Sequence, residues 1–445
     1  MKYDPNGQLL FSKTINGTVS AYTMEVDSSG NLYIAAAYVN EITVDNLHIT
    51  TNLQGRKPIL LKFNSNGELL WSKPIVQDFV DHFKSLTIDS NQNVYIGYDN
   101  YGDSYIEKLD ANGNSLMLIT QTNVKSISSI DIDTEGNIYG VGSCAEMNVS
   151  FNGTAVANSL LYNTYLVKYN TAGQFQWKHF VDDITCPEPQ VKVRTPDEVY
   201  FSSYLFGAYS FGSIISDGPA DGGFGDFFLA KLNNIGEYQW VKEVPGNGEV
   251  DLGNRNFLTL DNNGNAYLAT KTKGTIQWGS GISTQSMGFN SDILVLKYNP
   301  LGQLQWVKMA GGSSEDRADG ITVLPNGNVI LTGMVYGNVT FDALTHNAAS
   351  STSYPYVTKI NTENLGNHNP ETAASMIVYP NPAKDAITLL TSGYRGNAQL
   401  YSALGQILKT IVIKTEETSI DISEFASGTY FLRLENLQIG KIIKL

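Results

Sequence analysis

The chain is short of the residues that carry most metal and redox chemistry. Only Cys144 and Cys186 are cysteines, which excludes a multi-cysteine metal cluster and a disulfide-dense scaffold. The five histidines, His48, His82, His179, His346 and His368, form no pair with metal-ligand spacing and read as solvated or structural. Charged residues make up 16% of the chain, against the ~25% of an average globular protein. No window approaches the ~18 apolar residues of a membrane helix, so no membrane span is expected. The N-terminus, MKYDPNGQ, shows no basic stretch leading into an apolar one, so a signal peptide is absent from this chain. The G-x-S-x-G elbow, the P-loop and the Rossmann glycine run are missing as well. On those grounds the chain reads as non-catalytic, with no cofactor and no metal. Its charge is one-sided: 29 basic and 43 acidic residues leave a net of −14, which repels phosphate backbones and anionic lipids and argues against nucleic acid or a membrane surface as partner.

What is abundant is uncharged polar residue, glycine and tyrosine, arranged in a repeat. KYNPLGQLQWVK at Lys297 rewrites KYDPNGQLLFSK at Lys2, KFNSNGELLWSK at Lys62, KYNTAGQFQWKH at Lys168 and KLNNIGEYQWVK at Lys231. The lysines that open the motif stand at 2, 62, 108, 168, 231, 297 and 359, and their six intervals mark six repeats. Between them lies a second block, MEVDSSGNLYI at Met24, LTIDSNQNVYI at Leu86, IDIDTEGNIYG at Ile130 and LTLDNNGNAYL at Leu258, with a degenerate VKVRTPDEVYF at Val191 and ITVLPNGNVIL at Ile321. Each block is two alternating apolar runs around a polar turn, the signature of a hairpin. Two hairpins per repeat predict four-stranded blades, and six repeats predict an all-β, six-bladed β-propeller over residues 1–361. The sixth repeat stops after its third strand, so the N-terminal strand LLFSKTI at residues 9–15 is expected to close the last blade. Phe11, Trp71, Met117, Trp177, Trp240 and Trp306 recur four residues after each turn glycine and read as packing between blades.

These blocks resemble SBBP-type β-propeller repeats, in the D-x-x-G-N-x-Y turn, the aromatic-plus-glycine insertion YSFGSII at Tyr209, DFFLAKLNNIG at Asp226 and the QWVK that follows. The resemblance implies a fold and no single activity. The second repeat, with its 46-residue interval, departs from it by lacking the insertion.

A polar linker spans 362–375, and a second unit, 376–445, follows with alternating strands that predict a small Ig-like β-sandwich. Its 7 basic and 6 acidic residues contrast with 22 and 37 in the 375 residues before it. This tail resembles the C-terminal sorting domain of the type IX secretion system of the Bacteroidota. The match is carried by Tyr379, Pro380, Asn381 and Pro382, by the turn at Gly405, by Asp421 between two isoleucines, by Gly428 and Tyr430, and by the closing Lys441 and Lys444. The resemblance implies export through a cleavable signal peptide and then through the outer membrane, with the secretion machinery as partner and the cell surface or the medium as destination. Because this chain starts inside a blade, a trimmed or truncated N-terminus is expected.

Candidate sites are sparse. The turns at Asp27 and Asp261 space their oxygens like a calcium loop but lack its bidentate glutamate at the twelfth position, so they read as hairpin turns. The loops between blades carry Asp81, Asp183, Glu249, Asp251, Glu315 and Asp316, an acidic rim suited to cations or basic groups, with a simple solubilising surface as the competing reading. Cys144 and Cys186 form a candidate disulfide, since an exported protein matures under oxidising conditions. The functional expectation is a monomeric surface or secreted binding and adhesion protein whose ligand is a glycan or a protein. The alternative is an extracellular polysaccharide-degrading enzyme with its site at the channel mouth.

Overall fold

In a computed structural model, the chain is described except at residues 5–6, 52–54, 76–81, 101, 159, 183–187, 220–224, 247, 280, 348–351, 363–375, 392–394, 403–405 and 435–438. The protein is all-β, with no helix among the described residues. It divides into two compact units, Met1–Asn367 and His368–Leu445.

The larger unit is built from antiparallel meanders in chain order. The first sheet runs Asn16–Val26, Leu32–Val44, Lys57–Phe63, Leu69–Pro74, from inner to outer strand. The second runs His82–Ile88, Val94–Asp99, Ser104–Leu109, Ser115–Thr122, and the third Ser126–Ile132, Ile138–Cys144, Asn163–Tyr169, Phe175–Asp182. The fourth is Gln190–Val193, Val199–Leu205, Asp226–Leu232, Tyr238–Lys242. In the fifth, the inner strand is split into Glu249–Leu252 and Leu258–Leu260, followed by Ala266–Lys273, Asp292–Tyr298 and Leu304–Gly312. The sixth has three strands, Arg317–Val323, Val329–Tyr336 and Ser353–Ile360. Inner strands of successive sheets lie side by side, the arrangement of propeller blades around an axis.

The turns follow from local chemistry. In the D-x-x-G-N turn Asp27 Oδ1 accepts the amides of Ser29 and Asn31, both at 2.9 Å, and Oδ2 accepts Asn31 Nδ2 at 2.8 Å. The carboxylate thus folds its own turn, as short Asx side chains do. Asp89, Asp133 and Asp261 repeat the pattern. Two of the insertions are short hairpins that reach back to the preceding sheet: Ser150–Phe151 pairs with Gln121 and Thr122 of the second, and Val339–Phe341 with Gly311 and Gly312 of the fifth. Apolar residues on facing sides of neighbouring sheets interlock into one core after another, such as Leu60 with Phe83 and Leu86, and Leu166 with Val191.

One expectation is corrected. The N-terminal strand Leu9–Phe11 does not close the sixth sheet; it pairs with Lys2–Tyr3 in a hairpin of its own, and among the described residues Ser353–Ile360 pairs only with Val329–Tyr336. The physical reason is that its inner edge is already used by Lys2–Tyr3, and Asp4 bonds Gly7 and Gln8 to hold the two strands together.

The smaller unit has two sheets, Met376–Tyr379, Ala386–Thr391 and Glu417–Asp421 in one, and Ile407–Ile413, Gly396–Ser402, Gly428–Leu434 and Ile439–Lys444 in the other. Ile387, Leu389, Leu400, Ile420, Leu432 and Ile442 are among the residues of the core they share.

Candidate functional site

The recurring lysine is a structural latch. Lys62 Nζ lies 4.9 Å from the ring centre of Tyr33 on the adjacent strand and donates at 3.0 Å to Ala111 O, in the outer turn of the next sheet. Trp71 Nε1 donates to the same carbonyl at 3.1 Å and meets Tyr33 edge to face at 5.9 Å. Lys168 and Trp177 share Asn234 O, and Lys231 and Trp240 share Pro300 O, in the same way. The turn glycine makes this approach feasible. At Gly302, with φ of +74°, an added Cβ would lie 2.8 Å from the Trp240 ring. Burial holds Lys62, Lys168 and Lys297 below the usual lysine range. The lysine, tyrosine and tryptophan columns are therefore absorbed by the fold.

The inner strands carry what the repeat does not. Two residues before the first residue of each inner turn the column reads Glu25, Thr87, Asp131, Lys192, Thr259 and Thr322. Asp131 accepts Val193 N at 2.7 Å and Thr87 Oγ1 at 3.3 Å, so the second, third and fourth sheets meet there. Burial raises the pKa values of Glu25 and Asp131, with Lys192 pulling both back. Lys192 itself, although burial works against its charge, is raised by Asp131 and Glu25. Four different sheets thus contribute to one charge cluster on the axis.

Nearer the start of the inner strands, a cavity of about 80 Å³ is lined by Tyr22, Lys84, Ser128, Glu188, Gln190, Arg255 and Asn256. Lys84 pairs with Glu188 at 2.8 Å. Arg255 and Asn256 stand in the break of the fifth sheet's inner strand and reach across to the first sheet. Arg255 Nη1 donates to Ala21 O and Tyr22 O at 2.8 and 3.1 Å, and Asn256 Nδ2 to Thr23 Oγ1 at 3.3 Å. Gln190 Nε2 donates to Arg255 O at 2.6 Å, and Gln190 Oε1 accepts Leu258 N at 3.0 Å. Glu188 adopts φ of +52°, a backbone state unusual outside glycine and asparagine. The result is a narrow mouth with fixed donors and acceptors from five sheets.

The acidic residues of the connections are distributed differently. Asp81 and Asp183 lie outside the described residues. Glu249 and Asp251 belong to the inner strand Glu249–Leu252 rather than to a loop. Lys271 bridges Asp251 at 3.5 Å and Glu315 at 3.2 Å, which offsets one of the two negative charges in that part of the rim. Asp316 points inward: it is buried, accepts Tyr336 N at 2.9 Å, and burial pushes its pKa up to about 6. Cys144 is buried, its Sγ 3.8 Å from Asn163 O, and burial pushes the thiol up to about 11; Cys186 lies outside the described residues. His179 is clasped between Trp177 and Tyr238, and burial lowers its pKa. None of the axial residues stands out by type, and the signal that could have found them is the column in which aligned repeats disagree.

In the tail, the sorting motifs at its two ends come together. Asn381 Oδ1 accepts Ile443 N at 2.8 Å, and the Ala383 amide donates to Ile443 O at 2.8 Å. Tyr379 reaches Glu417 at 3.3 Å, Tyr430 donates to Ala426 O at 2.7 Å, and Asp421 accepts the amide and hydroxyl of Ser423. Lys444 is buried with Nζ 3.1 Å from Leu445 O, and Gly428 pairs with it across the strands. Lys441 pairs with Phe431, and Gly405 lies outside the described residues. Residues 377–445 match the model of the secretion system C-terminal sorting domain. The tail is a type IX sorting domain. It addresses the protein to the cell surface or beyond, and no helix among the described residues is long and apolar enough to cross a membrane.

Beta-agarase A of Zobellia galactanivorans is 37% identical over 68 residues, 15% of this chain and 12% of the agarase, so the chain spans a small part of that relative. Similar solved structures include virginiamycin B lyase of Staphylococcus aureus, at 11% identity and a TM-score of 0.43 over 85% of this chain and 94% of that one. PorZ, a surface component of the type IX secretion system of Porphyromonas gingivalis, has 10% identity and a TM-score of 0.36 over 95% of this chain and 59% of its own. A PL25 ulvan lyase has 10% identity and a TM-score of 0.39 over 82% and 88%. At those scores the likenesses say nothing of activity.

Proposed function

We propose that this is a secreted or surface-displayed binding protein in which the propeller is a non-catalytic scaffold and the axial mouth holds an end group of a glycan or protein ligand. The observation that supports this reading is the convergence of Tyr22, Lys84, Ser128, Gln190 and Arg255, from five sheets, on one cavity of about 80 Å³. That volume is below the ~300–1,000 Å³ of pockets that enclose a small-molecule ligand, and it suits recognition of a protruding group better than enclosure of a polymer segment. The charged groups are engaged with one another or with backbone carbonyls, a fixed recognition surface rather than a proton-transfer pair. We further propose that the tail's two sheets form an Ig-like sandwich that engages the secretion machinery and that the exported protein is a monomer.

The test is a glycan array and a panel of surface proteins, run beside a polysaccharide-hydrolysis screen, with the native protein and an Arg255→Ala, Lys84→Ala double variant. Binding by the native protein and its loss in the variant is the expected result. Turnover of any polymer by the native protein would overturn the non-catalytic reading in favour of the enzyme.

A further inference from the structure

The boundary between the sixth sheet and the first differs from every other boundary in the unit. Three residues before the turn, the inner strands carry Leu86, Ile130, Val191, Leu258 and Ile321, all 7% exposed or less, against the preceding sheet. Their counterpart in the first sheet, Met24, is 55% exposed, and Val26 beside it is 60%. On the opposite faces, two residues before the latch lysine, Leu60, Ile106, Leu166, Leu229 and Val295 are 0–1% exposed. Val357 of the sixth sheet is 64% exposed. These two columns pack against each other at every other boundary, as Leu60 does with Leu86 and Leu229 with Leu258. At this one boundary both faces are bare.

The N-terminal hairpin occupies the outer part of that same boundary. Its register is Lys2 opposite Phe11 and Tyr3 opposite Leu9, with a bulge between them. Lys62 and Trp71, Phe63 and Leu69 have the same register and bulge, as do Lys297 and Trp306, Tyr298 and Leu304. Its latch is made too: Lys2 Nζ donates at 2.8 Å to Ser65 O in the outer turn of the first sheet, and the Phe11 ring covers Gly67, where an added Cβ would lie 2.5 Å away. The hairpin is therefore the third and fourth strand of a blade of its own. It is not a spare edge strand for the sixth sheet.

We propose that the space between the sixth and first sheets is the seat of a seventh blade, and that its occupant is a two-stranded hairpin of the repeat's inner kind, entering the sheet at Lys2. In each complete blade the second strand runs into the lysine strand and sets a tyrosine beside the lysine, as Tyr95 is set beside Lys108 at 5.0 Å. Lys2–Tyr3 pairs only with Leu9–Phe11 among the described residues, so its other edge faces the vacant position. An inner hairpin there would bring a tyrosine to Lys2, cover Met24 and Val26 with one face and Val357 with the other, and continue an interface that the hairpin has already begun.

The decisive experiment inserts a second copy of residues 83–107 directly ahead of Lys2, since Glu107 precedes Lys108 just as the new segment would precede Lys2. Hydrogen-peroxide oxidation of Met24 is followed by mass spectrometry, with the exposed Met287 as internal reference. Oxidation of Met24 is expected to slow about tenfold relative to Met287, in line with burial of its five counterparts, and amide exchange over Ser353–Ile360 should slow with it. A fusion in which Met24 still oxidises as fast as Met287 would sink the proposal. Should the fusion fail to fold, the same segment is added as a free peptide to the native chain, where saturating peptide must protect Met24 and failure to do so counts against the seat. Protection in the native chain without any addition would mean that the sixth sheet closes on the first. Protection that grows with protein concentration would mean that a second copy fills the space. Either result would overturn the proposal.

Discussion

The rim and the axis of the propeller are built from the same six repeats and could hardly differ more. At the rim, a lysine and a tyrosine recur at matching positions of the first five sheets, and in the first, third and fourth sheets the lysine and a tryptophan are used up in joining that sheet to the next. At the axis, matching positions hold Glu25, Thr87, Asp131, Lys192, Thr259 and Thr322, and beside them lies a mouth lined by unlike side chains from five sheets. Where the repeats agree, the side chain has a packing duty that every blade must meet. Where they differ, that duty is absent, and the positions are open to recognition.

The contrast can be broken most forcefully at the rim. Trp240→Ala removes the edge-to-face contact with Tyr200 at 5.9 Å and the hydrogen bond to Pro300 O, and leaves a void over Gly302. We expect a loss of about 3–4 kcal/mol in urea unfolding, with ligand binding unchanged below the transition. A loss under 1 kcal/mol would show that the latch is ornamental.

At the axis, Lys192→Met strips the cation from Glu25 and Asp131 and should cost on the order of 2–3 kcal/mol at pH 8. The sign with pH follows from the raised carboxyls. Once pH falls below their folded-state values both carry protons, so the cost must shrink as the pH is lowered. The triple variant Glu25→Gln, Asp131→Asn, Lys192→Met should return to near native stability, because the cluster as a whole is not needed for packing. If the triple is as unstable as the single, the axis is structural after all.

Asp226 gives a smaller effect of opposite kind. Burial pushes its carboxyl up to about 7, above the ~4 of an unfolded aspartate, although it accepts the amides of Phe227 and Val244. The proton is therefore held more tightly by the fold, which gains stability below pH 4 and loses it as pH climbs through 7. Asp226→Asn keeps both acceptor bonds and should be more stable than the native protein by on the order of 2 kcal/mol at pH 8, with the two converging at pH 4. Parallel curves would show that Asp226 does not titrate in this range. Lys84→Ala is the mildest: its pairing with Glu188 is partly exposed, so melting should move by less than ~1 kcal/mol, while affinity for whatever the mouth holds falls. Unaltered affinity would move the binding site elsewhere.

How much of this was legible in the amino-acid order depends on whether a residue's role is local. The D-x-x-G-N turns and the N-x-x-G turns specify hairpins by themselves, which is why even the last repeat, whose inner turn is the variant LPNGN, forms the strands Arg317–Val323, Val329–Tyr336 and Ser353–Ile360. The row of Phe11 and the tryptophans was readable because its packing duty repeats. The partner of Leu9–Phe11 was not: its alternation is the same whichever strand lies beside it, and only the bulged register with Lys2–Tyr3 decides. The mouth was hidden for two reasons. Its side chains share no type, and GNGEVDLGNR looks like one connection, whereas Glu249–Leu252 pairs as a strand and only the stretch after it is free to project Arg255 inward.

The rim latch also has a direction. Every lysine and tryptophan that takes part donates forward, to a carbonyl in the outer turn of the following sheet: Lys2 to the first, Trp71 to the second, Trp177 to the fourth, Trp240 to the fifth. The latched part of the array therefore behaves as a one-way zipper with nearest-neighbour coupling, in which each latched unit is secured only when its successor has formed. An injury to a single outer turn, such as the one at Ala111, is felt upstream by the first sheet that leans on it, while the third keeps its own forward anchor at Asn234.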